Sequence, residues 1–393
     1  METAKRGAMQ FLLGHLLNAG AKDLDEENLR LAFLCAEQDG IDAAIDFIVR
    51  EHGNILTEIA HKSRGKLTII DDEASTSGWK KVLELVLGSM GIATRFWERP
   101  RFKGNEYTQE KCDAVLLDLW LPGKDRIPAP SIGFHALQMI REKDPTLPVI
   151  VLSSGADTVW ALRCLRFGAL DYFVRWLPGE SEPERWQSAS RYLTDALLGA
   201  VELGRSDTRW LWHKVSSVQR VLNAAGNDIG IAEELKRMTK LNFGELEGRI
   251  FQQLRMSIML YYGGTAESLS SRLPSPVDNW RVRRLLSMGD GYFVDVILGA
   301  GRVVELLGWV ACCFIHNRLV SREHHDWCDN MGTYITYAAD SAGAAVWKSR
   351  NRILHKRHGR QALISKDDAM KALLSSVTAV EIFTKRLLER FSS

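Results

Sequence analysis

The sequence predicts an α/β domain with a doubly wound, five-stranded parallel sheet, followed by an all-helical bundle. Two observations indicate the sheet: apolar runs alternate with helical stretches, and the runs are apolar throughout, as buried parallel strands are. A third observation, the lack of a convincing strand pattern after residue 205, indicates the bundle. The runs are LTII (67–70), AVLLDL (114–119), PVIVLS (148–153) and YFV (172–174), with a weaker strand near 93–97.

These patterns divide the chain into four segments. Residues 1–65 are predicted to form a short helical N-terminal extension, 66–180 the α/β domain, 181–205 a connecting helix and 206–393 the all-helical domain. The last helix of the bundle has a clear start, since Ser365 and Asp368 have the spacing of a capping box.

Composition restricts how the protein can bind nucleic acid and indicates its cellular compartment. The net charge of +2 over 393 residues means that nucleic-acid binding must come from a local patch. Six scattered cysteines without metal-ligand spacing are typical of reduced thiols in a cytoplasmic protein. The most apolar stretch, 292–315, contains Asp295, Arg302 and Glu305, which argues against a membrane span. We therefore expect a cytoplasmic protein that does not enter a membrane.

Polar residues follow the predicted strands at their carboxyl ends, where open parallel sheets bind ligands. Asp71 and Asp72 follow the first strand, Asp118 lies near the end of the third, Ser153 ends the fourth and Arg175 follows the fifth. Three converging carboxylates repel one another unless a cation joins them, and hard oxygen ligands suit Mg²⁺. A hydroxyl and a cationic side chain could then hold the oxygens of a phosphoryl group placed on one aspartate.

This segment resembles the receiver domain of bacterial two-component response regulators, which has a flavodoxin-like fold. The matching pieces are IIDDE (69–73), LLDLWLPG (116–123), VLSSG (151–155) and GALDYFVRW (168–176). The resemblance implies that Asp118 is the phosphoacceptor and that it holds Mg²⁺ with Asp71 and Asp72. It also implies that Ser153 contacts the phosphoryl group, that Tyr172 is the switch aromatic, and that a histidine kinase or other phosphodonor supplies the phosphoryl group.

Three features of the segment depart from the receiver pattern. Arg175 stands where the family has lysine, Trp176 stands where it has proline, and the loop after Asp118 is longer than usual. Arginine keeps the positive charge of lysine, but its planar fork reaches oxygens differently. An alternative interpretation is a receiver fold retained only as a docking module.

A basic segment near the end of the chain has no acidic residue from 345 to 360, and such a segment attracts a polyanion. His355 and His358 lie within it, and neighbouring cations disfavour their protonated form, which leaves imidazole free to act as a base. RNA supplies its own nucleophile, the 2′-hydroxyl, so its cleavage needs no metal. The basic residues are Lys348, Arg350, Arg352, Lys356, Arg357 and Arg360.

The hexad RNRILH (350–355) resembles the HEPN superfamily, whose ribonuclease members form helical bundles that dimerise around two copies of the motif. The resemblance implies a homodimer in which Arg350 and His355 are catalytic and Asn351 positions them or the phosphate. The predicted RNA-binding residues are Lys348, Arg352, Lys356, Arg357 and His358. Two alternatives stay open: a HEPN bundle that binds RNA without cutting it, and a solvated basic helix end.

Together the motifs predict a signal-regulated, metal-independent endoribonuclease whose HEPN-like cleft is controlled by a phosphoacceptor receiver domain. Its biological setting would be a stress response or phage defence, as the resemblance implies. The alternative is a non-catalytic response regulator whose helical domain binds RNA or a protein partner.

Overall fold

The computed structural model describes residues 3–19, 21, 26–52, 65–101, 107, 112–122, 128–154, 157–175, 183–263, 291–354 and 364–391. The chain forms two compact units, 1–212 and 213–393. The finer division into four segments stays a prediction.

The first unit contains the predicted five-stranded sheet. All neighbouring strands are parallel, in the order β2-β1-β3-β4-β5. Both β3 and β4 are buried along their whole length, which explains why their sequences lack the alternation of a half-exposed strand. The strands are β1 (Gly65–Ile70), β2 (Ile92–Trp97), β3 (Ala114–Asp118), β4 (Val149–Ser153) and β5 (Asp171–Val174).

Helices cover the sheet and extend the first unit towards the N-terminus. Val115 and Leu117 of β3 belong to a core with Leu137 and Ile140 of α5. Helix α7 contacts β1, β3 and β4, and α4 contacts β2. The helices are α1 (Thr3–Asn18), α2 (Glu26–Gln38), α3 (Ile41–His52), α4 (Trp79–Ser89), α5 (Pro130–Lys143), α6 (Thr158–Phe167) and α7 (Pro183–Arg205).

The N-terminal helix α1 is an integral part of the first unit. It packs against α7 and α4 and buries Leu12, Leu13 and Leu16 completely. Gly7 allows a close approach, because a Cβ there would lie 2.5 Å from the carbonyl oxygen of Arg175, at the end of β5. The predicted N-terminal extension is therefore helical where it is described, and α1 lies against the end of β5.

The described part of the second unit is helical, as predicted. Its most apolar helix, α11, contacts α10, α12 and α13. Helix α12 is interrupted at Asp340, which has φ 56° and ψ −150°. The helices are α8 (Trp210–Gly226, which begins in the first unit), α9 (Ile229–Thr239), α10 (Phe243–Gly263), α11 (Gly291–Ile315), α12 (His325–Leu354) and α13 (Lys366–Phe391).

Two further expectations concern this unit. The segment Phe293–Ile315 is long and apolar enough to cross a membrane, but 83% of its most apolar window is buried within the protein, as in the core helix of a bundle. The capping box at the start of α13 is confirmed: the Asp368 amide donates to Ser365 Oγ at 3.1 Å, and the Ser365 amide donates to Asp368 Oδ2 at 3.1 Å.

Gly204→Ala is expected to destabilise the first unit. A Cβ at Gly204 of α7 would overlap the backbone carbonyl of Asp113 before β3, and backbone cannot turn aside as a side chain can. The loss of unfolding free energy should be about 1–3 kcal/mol, measured by urea denaturation of the full chain.

Gly88→Ala in α4 is the matched control, because a Cβ there meets no atom within 4 Å. It should leave stability unchanged or raise it by about 0.5–1 kcal/mol, since alanine favours a helix. Equal destabilisation by both substitutions would contradict the close packing of α7 on the sheet.

Candidate functional site

Three carboxylates meet at the carboxyl edge of the sheet. Asp71 follows β1, Asp72 is its neighbour and Asp118 ends β3, and one ligand oxygen from each lies within 4.8 Å of the other two. Asp71 and Asp118 are buried, whereas Asp72 is half-buried. Adjacent parallel strands bring these residues together, because β1 and β3 pair directly. The sequence prediction of a converging acidic cluster is thus confirmed in its geometry.

Arg175 is the cation of this cluster. Its Nη2 lies 2.5 Å from Asp71 Oδ2 and 3.0 Å from Asp118 Oδ2, and its side chain is 1% exposed. The residue reaches the cluster because β5 pairs with β4, and the Arg175 amide donates to the Ser153 carbonyl at 2.7 Å. The guanidinium therefore occupies the position predicted for the positive charge.

Ser153 and Trp120 complete the rim of the cluster. The indole Nε1 of Trp120 donates to Ser153 Oγ at 3.2 Å, and the Trp120 amide donates to Asp118 Oδ1 at 3.1 Å. Tyr172 also has a side-chain hydrogen bond with Ser153. Both oxygens of Asp118 are thus held by donors, one from Trp120 and one from Arg175.

Burial governs the charge of the cluster. It raises the pKa of Asp118 to about 6; Arg175 opposes the increase and Asp71 adds to it. Burial also raises the pKa of Asp72 above its usual range. Asp118 is therefore largely ionised at neutral pH.

The cluster has the donors that a divalent cation requires. Oxygen ligands at this density suit Mg²⁺, and Asp72 Oδ1 is buried without a hydrogen-bond partner in the described residues. An ion that joined the three carboxylates would give this oxygen a partner and relieve their mutual repulsion. The residues present thus fit the predicted ion.

Comparison with known proteins agrees with this geometry. The family model of the response regulator receiver domain matches residues 67–178. This chain contains a response regulator receiver domain. Receiver domains bind Mg²⁺ at an acidic pocket, and they accept phosphate from histidine kinases. The roles assigned to individual residues of this receiver domain stay predictions.

Two curated relatives match this chain over less than a third of its length. The DNA-binding transcriptional regulator NtrC of Proteus hauseri is 30% identical over 112 residues, which cover 28% of this chain and 22% of that protein. The probable transcriptional regulator ycf27 of Guillardia theta is 32% identical over 122 residues, 31% of this chain and 44% of that protein. The chain therefore spans less than half of these relatives. The activities in these names are those of the relatives themselves.

The second predicted site, at the end of α12, is only partly described. Arg350 Nη2 lies 3.3 Å from Glu305 Oε2 of α11, and its Nη1 donates to Asn351 Oδ1 at 3.2 Å. The guanidinium carbon of Arg350 lies 4.6 Å from the ring centroid of Trp347. Arg352 pairs with Asp368 at 3.6 Å, and Lys348 is exposed. His355, Lys356, Arg357 and His358 lie outside the described residues.

Sequence analysis missed two partners of the predicted residues. Trp120 stands two residues after Asp118, so its position in the motif was visible, but its hydrogen bond to Ser153 depends on how β3 and β4 pair. Glu305 lies 45 residues before Arg350, and no local pattern connects them. In the sequence it stands only as a charge within an apolar stretch.

Asp118→Asn is expected to stabilise the first unit at neutral pH. The pKa of Asp118 is about 6 in the folded protein and about 3.9 in an unfolded chain. Because the pKa is higher in the folded protein, protonation of Asp118 favours folding. This contribution to the free energy of unfolding is fully present below about pH 4 and is lost as the pH rises through about 6. Replacing the charge should restore on the order of 1–3 kcal/mol at about pH 7.5 and little at about pH 4.

Urea denaturation in EDTA at both pH values measures this difference. Asp207→Asn, at an exposed position of the same unit, is the control and should change stability little at either pH. Destabilisation by Asp118→Asn at neutral pH would mean that the ion pair with Arg175 outweighs the burial of the charge.

Proposed function

We propose that this protein is a phosphorylation-controlled regulator in which Asp118 accepts a phosphoryl group. The observation that carries the proposal is the triad at the edge of the sheet, where Arg175 lies between Asp71 and Asp118 with its side chain buried. Asp71, Asp72 and Asp118 would hold Mg²⁺, which would neutralise their charge and that of the phosphoryl oxygens. The donor would be a histidine kinase or a small phosphodonor such as acetyl phosphate, in the cytoplasm.

The residues of the pocket suit an in-line transfer. A carboxylate oxygen of Asp118 would attack phosphorus while the bond from phosphorus to the donor oxygen or nitrogen breaks, and the donor would keep the electron pair. The transferred group carries charge on its equatorial oxygens, which need donors fixed in advance. Arg175, which contacts Asp118, and the hydroxyl of Ser153, which accepts from Trp120, would provide them. Release of Ser153 from Trp120 and Tyr172 would then change the surface around Tyr172.

Ser153→Ala tests this assignment. The variant should incorporate phosphate from acetyl phosphate and Mg²⁺ about 10²-fold more slowly than the wild type, because it lacks one donor to the transferred group. Asp118→Asn should incorporate none. Intact-mass spectrometry of the full chain after timed incubation gives both rates.

Ser154→Ala is the matched control, since Ser154 is the exposed neighbour of the buried Ser153. Its rate should equal that of the wild type. Unchanged incorporation by Asp118→Asn would disprove the phosphoacceptor role and favour a receiver fold that serves only for docking.

For the helical unit we propose an output on RNA, as a HEPN-like endoribonuclease that acts as a homodimer. The support is the resemblance of RNRILH and the arrangement at the end of α12, where Arg350 and Asn351 are hydrogen-bonded side by side and half-buried. Arg350 would stabilise the charge of a pentavalent phosphate and His355 would move the proton of the 2′-hydroxyl. The setting would be a stress response or phage defence.

One observation favours a second function, a non-catalytic output that binds RNA or a protein. Arg350 is already paired with Glu305 and lies over the ring of Trp347. Such an arginine can serve helix packing alone, because its charge is compensated within the protein. The effect of replacing Glu305 therefore distinguishes the two candidate functions.

Cleavage of total RNA by the purified chain distinguishes them, with and without acetyl phosphate and Mg²⁺. On the nuclease proposal Arg350→Ala and His355→Ala each reduce cleavage about 10²–10³-fold, because each lacks a group that acts on the phosphate or the proton. Glu305→Gln changes the cleavage rate by removing the counter-charge. Lys385→Ala, exposed on α13, should leave the rate unchanged.

The non-catalytic candidate predicts a different pattern. On this candidate, RNA cleavage by every variant equals that by the wild type. Glu305→Gln lowers the free energy of unfolding by at most about 1 kcal/mol, as expected for a partly exposed ion pair. Cleavage that survives in both Arg350→Ala and His355→Ala would contradict the nuclease proposal.

A further inference from the structure

An aromatic cavity lies in the first unit, and Arg175 of the acidic cluster is one of its lining residues. Its volume is about 270 Å³, and described residues of α1, α4, β5 and α7 line it. Phe11 and Trp79 form part of the wall, with ring centroids 5.5 Å apart. Other aromatic lining residues are Tyr172, Phe173, Trp186 and Tyr192. A small apolar cavity with a few polar groups is the usual form of a ligand site.

Two N–H groups of the cavity lining are buried and unsatisfied. Trp79 Nε1 and Arg175 Nε have no hydrogen-bond partner in the described residues, although Trp79 is 1% exposed and Arg175 is 6% exposed. A buried donor without an acceptor is rare, because leaving it unpaired costs free energy. Both residues line this one cavity. An acceptor atom placed there would satisfy at least one of them.

The charges near the cavity favour a ligand whose hydrogen-bond acceptor is neutral. The guanidinium of Arg175 is already matched by Asp71 and Asp118, with Asp72 beside them. A further anion would add a negative charge to a buried group that already carries an excess of carboxylates. A carbonyl oxygen or ring nitrogen accepts a hydrogen bond without adding that charge.

We propose that this cavity binds a small, neutral, planar aromatic or heteroaromatic molecule that carries a carbonyl or ring-nitrogen acceptor. The aromatic walls would stack on its ring and Trp79 Nε1 would donate to its acceptor. Its size is sufficient for one substituted ring, since a dry cavity of roughly 150 Å³ binds benzene in another protein. The proposal goes beyond the phosphorylation and RNA functions and requires neither of them.

Benzamide is the probe, and the full chain is used without Mg²⁺ or acetyl phosphate. Calorimetry and ligand-observed saturation-transfer NMR should show saturable binding with a dissociation constant on the order of 1 mM or tighter. Benzoate, of the same shape but charged, should bind at least about 10-fold more weakly, because burying an unpaired charge is costly. Toluene, which lacks the acceptor, should also bind about 10-fold more weakly.

Trp79→Phe removes the donor and keeps an aromatic ring, so it should weaken benzamide binding about 10-fold and toluene binding little. Trp160→Phe on α6 is the matched control and should bind benzamide as the wild type does, because Trp160 does not line the cavity. Ala189→Leu is an independent variant at an exposed lining position of α7, so it should fold and block binding of both probes.

Three results would overturn the proposal: no saturable benzamide binding to the wild type, benzoate binding as tight as benzamide, or unchanged binding by Ala189→Leu. The thermal midpoint of each variant shows whether it is folded. These results leave the phosphoacceptor proposal untouched, since phosphate incorporation at Asp118 is measured separately.

Discussion

The buried ion-pair triad of Asp71, Arg175 and Asp118 is the constraint on which the receiver domain depends. One nitrogen of Arg175 contacts both carboxylates, and all three side chains are almost fully excluded from solvent. Removal of Arg175 would leave two buried carboxylates without their cation, and an uncompensated buried charge typically costs about 3–5 kcal/mol. The ends of β1, β3 and β5 are therefore tied to one another by charge as well as by the sheet. A phosphoryl group that drew Arg175 towards itself would have to replace these contacts.

The sheet and the location of the acidic cluster could be predicted from the sequence because both depend on local patterns. Continuous apolar runs predict buried parallel strands, and residues after the carboxyl ends of such strands must meet at one edge. The hydrogen bond from Trp120 to Ser153 could not be predicted, because it depends on the rotamer of one indole. Nor could sequence indicate that a single nitrogen of Arg175 would reach two carboxylates.

Charge in the helical unit shows a limit of sequence interpretation. The segment 345–360 contains many cations and no acids, so it predicts a positive patch. In the fold, Arg350 meets Glu305 of another helix and Arg352 meets Asp368 of the next one. Neutralisation by residues distant in sequence reduces the field that an RNA chain would meet. Lys348 is exposed, and its charge can act on a partner.

The packing of α1 bears on where the receiver domain can be cut from the chain. Gly7 lies against the carbonyl of Arg175, Phe11 meets Trp79 of α4, and the Ser190 hydroxyl of α7 donates to the Phe11 carbonyl at 3.0 Å. A fragment that began at residue 66, where the receiver pattern starts, would lay bare the apolar faces of α4 and α7. Exposed patches of that kind promote aggregation. Helix α1 therefore belongs to the same compact unit as the sheet, and we expect a fragment cut at residue 66 to aggregate.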